Sequence, residues 1–292
     1  MSSPLKLWLA CLIALLGATA ATAQAQTDDQ RLEATLGRIQ PQRPGTIDAY
    51  VLVAALDGDP VFNREAREAG RVLAARFGAA RRTLVLARDE GSDHGDAAAT
   101  PQRLATALDR LAAAMDRQED VLVLYTTSHG SPHAGLNYRD PAYGDALITP
   151  TELAAMLDHA GARNRLIILQ ACFSGQFVPA LQGPRTVIAT AASSMKSSFG
   201  CAAGNDWTFF GYALINQAMR QPDTVVRQLR RAFVTIVGWE QALDYESSSP
   251  QISVGTDTAS WLAALDARAP TTASAPVGLP PPDIAQCQKC AH

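Results

Sequence analysis

The sequence lacks a surplus of positive charge, an apolar run long enough to cross a bilayer, an internal repeat, and any cysteine or carboxylate cluster that would complete a zinc site around its histidines. Each absence removes a class of function. With 25 basic against 28 acidic residues and a net charge of -3, nothing is available to neutralise phosphates or coat an anionic membrane, so nucleic acid is excluded as the main partner. The most apolar stretch, Leu7 to Leu16, is shorter than the ~20 residues a spanning helix needs. His129 and His133 find no further ligands, so no metal and no cofactor is expected. Five cysteines do not make a disulfide-stapled miniature, and a 47% hydrophobic fraction supplies a sizeable core without one.

What is present begins with an address. Lys6, the apolar core from Leu7 to Leu16, and the small-x-small triplets Ala21-Thr22-Ala23 and Ala23-Gln24-Ala25 read as an export signal over residues 1–25. The expected location is periplasmic or secreted, with no stable membrane span after cleavage. Residues 26–47 read as an N-terminal extension, 48–268 as one folded domain, and 269–292 as a Pro-rich tail outside the core that carries Cys287 and Cys290.

Within the domain, continuous apolar runs alternate with amphipathic stretches. Ala49 to Ala55, Thr83 to Leu86, Val121 to Tyr125, Leu166 to Leu169, Thr186 to Thr190 and Gln251 to Val254 read as strands. Arg64 to Phe77, Pro101 to Met115, a helix opened by Thr149-Pro150-Thr151-Glu152, Trp207 to Met219, Thr224 to Trp239 and Ala259 to Leu265 read as helices. The expected fold is α/β, a three-layer α/β/α sandwich around a mostly parallel sheet.

In such sheets reactive groups gather beyond the carboxyl ends of the strands. One apolar run leads into Ser128-His129-Gly130-Ser131 and another into Gln170-Ala171-Cys172-Phe173-Ser174-Gly175. A thiol must lose its proton to attack a carbonyl, and imidazole can accept that proton and return it to a leaving amine. Cys172 and His129 suit these roles. A helix from about Ser174 to Leu181 would lower the thiol pKa, and the N–H groups of Gly130 and Cys172 could hold an oxyanion.

These two motifs, in this order and 43 positions apart (172 minus 129), resemble the caspase-like cysteine peptidases and most closely the legumain family, peptidase family C13. The resemblance implies a caspase-like fold and an exported cysteine endopeptidase acting on peptide or protein substrates through an acyl-enzyme. A transpeptidase of the same chemistry, or a non-catalytic peptide-binding domain, is the alternative. It also implies that Ser193, in the stretch from Thr190 to Cys201, lies along the substrate, that Asp206 lines the specificity pocket unless it serves as a helix cap, that Asn63 orients His129, and that Arg64 reaches the pocket. Cys201 reads as structural. Gln170 stands where legumains carry glutamate, so preference at the cleaved position is expected for asparagine or aspartate, with a basic residue open if Asp206 dominates.

Overall fold

A computed structural model describes residues 24–283; most of the leader, together with Cys287 and Cys290, falls outside them. Six strands form the main sheet in the order β2-β1-β3-β7-β8-β9: Thr83–Leu86, Ala49–Ala55, Val121–Thr127, Asn164–Gln170, Thr186–Thr190 and Gln251–Val254. The first five are parallel and β9 is antiparallel. Burial of both faces accounts for the continuous apolar runs. Val51, Val53, Val123, Tyr125, Leu166 and Ile168 point into one core with α2 (Pro60–Phe77), a helical segment over 209–220, α6 (Val225–Ala242) and α7 (Ala259–Asp266). Their neighbours Leu52, Leu122, Leu124, Ile167 and Leu169 point into the other core. Its helices are α1 (24–36), α3 (Pro101–Ala114), α4 (Pro150–Ala160) and α5 (Val178–Leu181). The expected three-layer α/β/α arrangement is therefore present.

Helix ends follow local chemistry. Thr149 accepts from Glu152 N–H while Glu152 accepts from the Thr149 N–H, a complete capping box. Gly78, at φ 62°, closes α2. Two starts differ from expectation: α2 begins at Pro60, with Asp59 before it, and the segment expected from Trp207 starts at 209. A second sheet, absent from the sequence reading, joins β4 (Gly130–Ser131), β5 (Gly135–Asp140) and β6 (Gly144–Ile148) in antiparallel order. It hangs from the end of β3, at the place where His129 emerges.

The Pro-rich segment lies against the domain. Asn216 grips Val277 through both amide atoms, donating to its carbonyl at 2.7 Å and accepting its N–H at 3.0 Å, and Trp207 Nε1 donates to the same carbonyl at 3.0 Å. Among the described residues no helix is long and apolar enough to cross a membrane.

Candidate active site

Register brings the two motifs together. Along the β3/β7 ladder Thr127 pairs with Gln170, and the Ser128 N–H continues the ladder to the Gln170 carbonyl at 3.1 Å. His129 and Cys172 each lie two residues beyond the last pair of that ladder. Gly130 then runs directly over the Cys172 backbone: a Cβ there would lie 2.0 Å from the Cys172 carbonyl oxygen, so only glycine permits the approach. The small sheet braces this loop. Asn137 N–H donates to the His129 carbonyl at 3.0 Å, and Ser131 Oγ donates to Asn137 Oδ1 at 2.7 Å.

Beyond Cys172 the chain turns through Phe173 at φ 58°, a left-handed conformation that a bulky side chain adopts at a cost and that is common at functional sites. The turn is held from outside: Phe173 and Gly175 N–H groups donate to the carbonyls of Lys196 and Ala192 at 2.8 and 2.9 Å. The loop from Ala191 onwards, which contains the half-buried Ser193, therefore wraps the thiol. Ser198 N–H reaches Cys172 Sγ at 3.3 Å. The Cys201 side chain also hydrogen-bonds the sulfur; that bond first, then the Ser198 N–H and hydroxyl, hold the Cys172 thiol down at about 5 against the opposing effect of burial. Cys201 is pushed up in return, by the same hydrogen bond and by burial. The expected low pKa is thus present with a different cause. The helical element after Cys172 is a 3₁₀ turn, Ser174–Phe177, followed by the four-residue α5, and the stabilising groups are the loop donors. Cys201 is one of these donors, whereas the sequence suggested only a structural thiol.

His129 Nε2 lies 3.1 Å from Asp59 Oδ2, and the edge of Phe62 packs against the imidazole with centroids 4.9 Å apart. The sequence offered Asn63 for this orienting role, and the structure corrects it. Asn63 Nδ2 donates to the carbonyls of Asp57 and Asp59, at 3.2 and 3.1 Å, and its Oδ1 accepts from the Arg88 N–H at 2.7 Å. It fixes the turn that carries Asp59 and meets the histidine through that turn. Donor atoms of Asp57, Asp59 and His129 lie within 4.8 Å of one another, a spacing compatible with a cation. Arg139 Nη2, 3.3 Å from both carboxylates, already brings positive charge there.

The remaining candidates group around one loop. Arg64 donates to the carbonyls of Ala203 and Asn205, both at 2.7 Å, pairs with Glu90 at 2.9 Å, and lies 3.8 Å from Asp206. Asp206 accepts from the Leu279 N–H at 3.4 Å. It is not the cap of the following helix, because Thr208 Oγ1 takes that place, accepting from Gly211 N–H at 3.0 Å. Gln170 is fully buried; its Oε1 accepts from Thr127 Oγ1 at 3.1 Å, and its Nε2 has no acceptor among the described residues. Behind it lies Glu65, a fully buried acid on α2. Tyr125 OH, Thr127 Oγ1, Thr208 N–H and Thr208 Oγ1 all donate to its carboxylate at 2.5 to 2.8 Å, and burial raises its pKa despite these donors. Glu65 ties β3 and α2 to the loop that bears Asp206.

Residues 104–243 match the Peptidase C13 family, a span that includes both His129 and Cys172. Among solved structures, caspase-1 from Spodoptera frugiperda is similar at 14% identity with a TM-score of 0.47, covering 74% of this chain and 93% of that one. A search of curated proteins finds no match. The two motifs, on adjacent strand ends, both lie in the segment 104–243 over which the chain is similar to the Peptidase C13 family.

Proposed function

We propose that the protein is an exported cysteine endopeptidase, periplasmic or secreted, with Cys172 as nucleophile and His129 as general acid and base. The observation that carries this reading is that His129 and Cys172 each follow, by two residues, the last pair of the β3/β7 ladder, with a sulfur whose pKa is held near 5 by donors that favour thiolate. His129 takes the thiol proton, the thiolate attacks the peptide carbonyl carbon, and the N–H groups of Gly130 and Cys172 hold the oxyanion. Collapse expels the amine, which takes a proton from His129 and leaves a thioester on Cys172. His129 then removes a proton from water, the hydroxide attacks the thioester, and Cys172 departs as thiolate while the peptide acid is released.

For the cleaved position the reading favours asparagine or aspartate. Gln170 Nε2, a buried donor without an acceptor among the described residues, would be satisfied by a side-chain oxygen of either, with Ser193 along the substrate backbone and Arg64 and Asp206 at the pocket. The test is a fluorogenic peptide library varied at the cleaved position, under reducing conditions, with Cys172→Ala and His129→Ala as controls. Turnover lost in both variants and concentrated on asparagine or aspartate supports the proposal. Cleavage after lysine or arginine would assign pocket control to Asp206, and turnover persisting in Cys172→Ala would sink the mechanism. Joined peptides in the product mixture would mark the transpeptidase variant, in which an amine replaces water.

A further inference from the structure

The turn before α2 is more rigid than a helix start requires. Asp59 N–H donates to Oδ1 of the buried Asp57 at 3.0 Å, Gly58 N–H donates to the Arg139 carbonyl at 2.7 Å, and Asn63 gathers the carbonyls of residues 57 and 59. Asp59 gives its own helix no side-chain cap, although aspartate is among the best capping residues. Its carboxylate instead points at His129 Nε2, 3.1 Å away, while Arg139 Nη2 approaches the same oxygen at 3.3 Å. Phe62 blocks the histidine ring from swinging away. A carboxylate accepts and cannot donate, so the nitrogen facing it must carry a proton and the other ring nitrogen is left for the chemistry.

We infer that Asp59 is a positioning residue, a third member of the site behind His129, which keeps the ring proton on Nε2 and leaves Nδ1 to exchange a proton with Cys172, while Arg139 and Asp57 hold the carboxylate in place. This rests on the reading of Cys172 and His129 as the reacting pair. Asp59 lies 70 positions before His129 and outside the matched span 104–243, so the contact exists only in the fold. The charged groups around the ring are Asp57 and Asp59 from the turn and Arg139 from β5.

The experiment compares the full wild-type chain with Asp59→Ala and Asp59→Asn, by ¹⁵N spectra of the histidine side chains, assigned through His129→Gln, and by steady-state kinetics on the best library peptide. Wild type should show His129 as one tautomer protonated at Nε2. Asp59→Ala should show mixed tautomers and a kcat lower by about 10²-fold with KM changed by less than about twofold, because the residue orients the base without touching substrate. Asp59→Asn, of the same shape and still able to accept through its amide oxygen, should fall between, and it serves alone if the alanine variant fails to fold. An unchanged ring spectrum in the variants, or kcat within about twofold of wild type, overturns the inference. If the wild-type chain cleaves nothing, the peptidase reading fails while the ring spectra still decide the role of Asp59.

Discussion

Replacing Cys201 by alanine tests the origin of the reactive thiol. The Cys201 hydrogen bond is the largest of the causes that bring Cys172 from 9.0 down to about 5. A hydrogen bond to a charged acceptor contributes about 1.5–3 kcal/mol, which at 1.36 kcal/mol per unit corresponds to about 1–2 pKa units. Ser198 remains in the variant, so the thiol should titrate near pH 6–7, about 1–2 units above wild type. The assay is the rate of iodoacetamide alkylation against pH in reducing buffer, with the labelled peptide identified by mass spectrometry. At pH 6 a group with pKa about 5 is about 90% thiolate, whereas an ordinary cysteine near 8.5 is under about 1%. Wild-type Cys172 should therefore alkylate at close to its full rate at pH 6 and Cys201 hardly at all. The sign for stability follows. The folded pKa is depressed, so this group's contribution is fully present above the unfolded value and disappears as pH falls through about 5. A wild-type alkylation midpoint at 8 to 9, or one unmoved in Cys201→Ala, would refute the reasoning.

Glu65→Ala strands three buried donor hydrogens on Tyr125 and Thr208, while Thr127 Oγ1 keeps Gln170 Oε1 as acceptor, and should cost about 3–5 kcal/mol, a fall in Tm of about 10 °C by calorimetry; a shift under about 2 °C would contradict the role given to that carboxylate. Gly130→Ala forces a Cβ against the Cys172 carbonyl at 2.0 Å, so the His129 loop must move and kcat/KM should fall by about 10²-fold or more, measured on the same peptides. Asn216→Ala removes both hydrogen bonds to Val277, and limited proteolysis should cut within 270–283 faster than in wild type, with the domain itself intact; equal rates would show that the segment is held by other contacts.

How much of this was legible depends on where the signal resides. The central strands of the main sheet could be read because they are largely apolar runs: Ala49–Ala55 and Thr186–Thr190 have the expected bounds, and every one of their residues is buried. The β4–β6 sheet could not, since two-residue pairing at Gly130–Ser131 and the mostly exposed Gly144–Ile148 leave no hydrophobic period to detect. His129 and Cys172 stood out because each follows an apolar strand. Their supports did not. Asp59 falls outside the helix expected from Arg64, Glu65 is an ordinary acid on it, and Cys201 reads as structural, because each contact is made across 29 residues of chain or more, counting from Cys172 to Cys201. A signal was nevertheless available for Asp59: Asp-Pro ahead of an amphipathic stretch marks a helix start, and placing it there would have put a carboxylate at the same sheet end as the histidine.

If Cys172 carries the acyl group, acid-quenched mass spectrometry of the chain mixed with its best peptide should find, within the first turnovers, an adduct on the Cys172 peptide. It should have the mass of the amino-terminal product less water, be sensitive to hydroxylamine as a thioester is, and be absent in Cys172→Ala. Peptide cleavage with Cys172 unmodified, or with the adduct on another residue, would contradict that role.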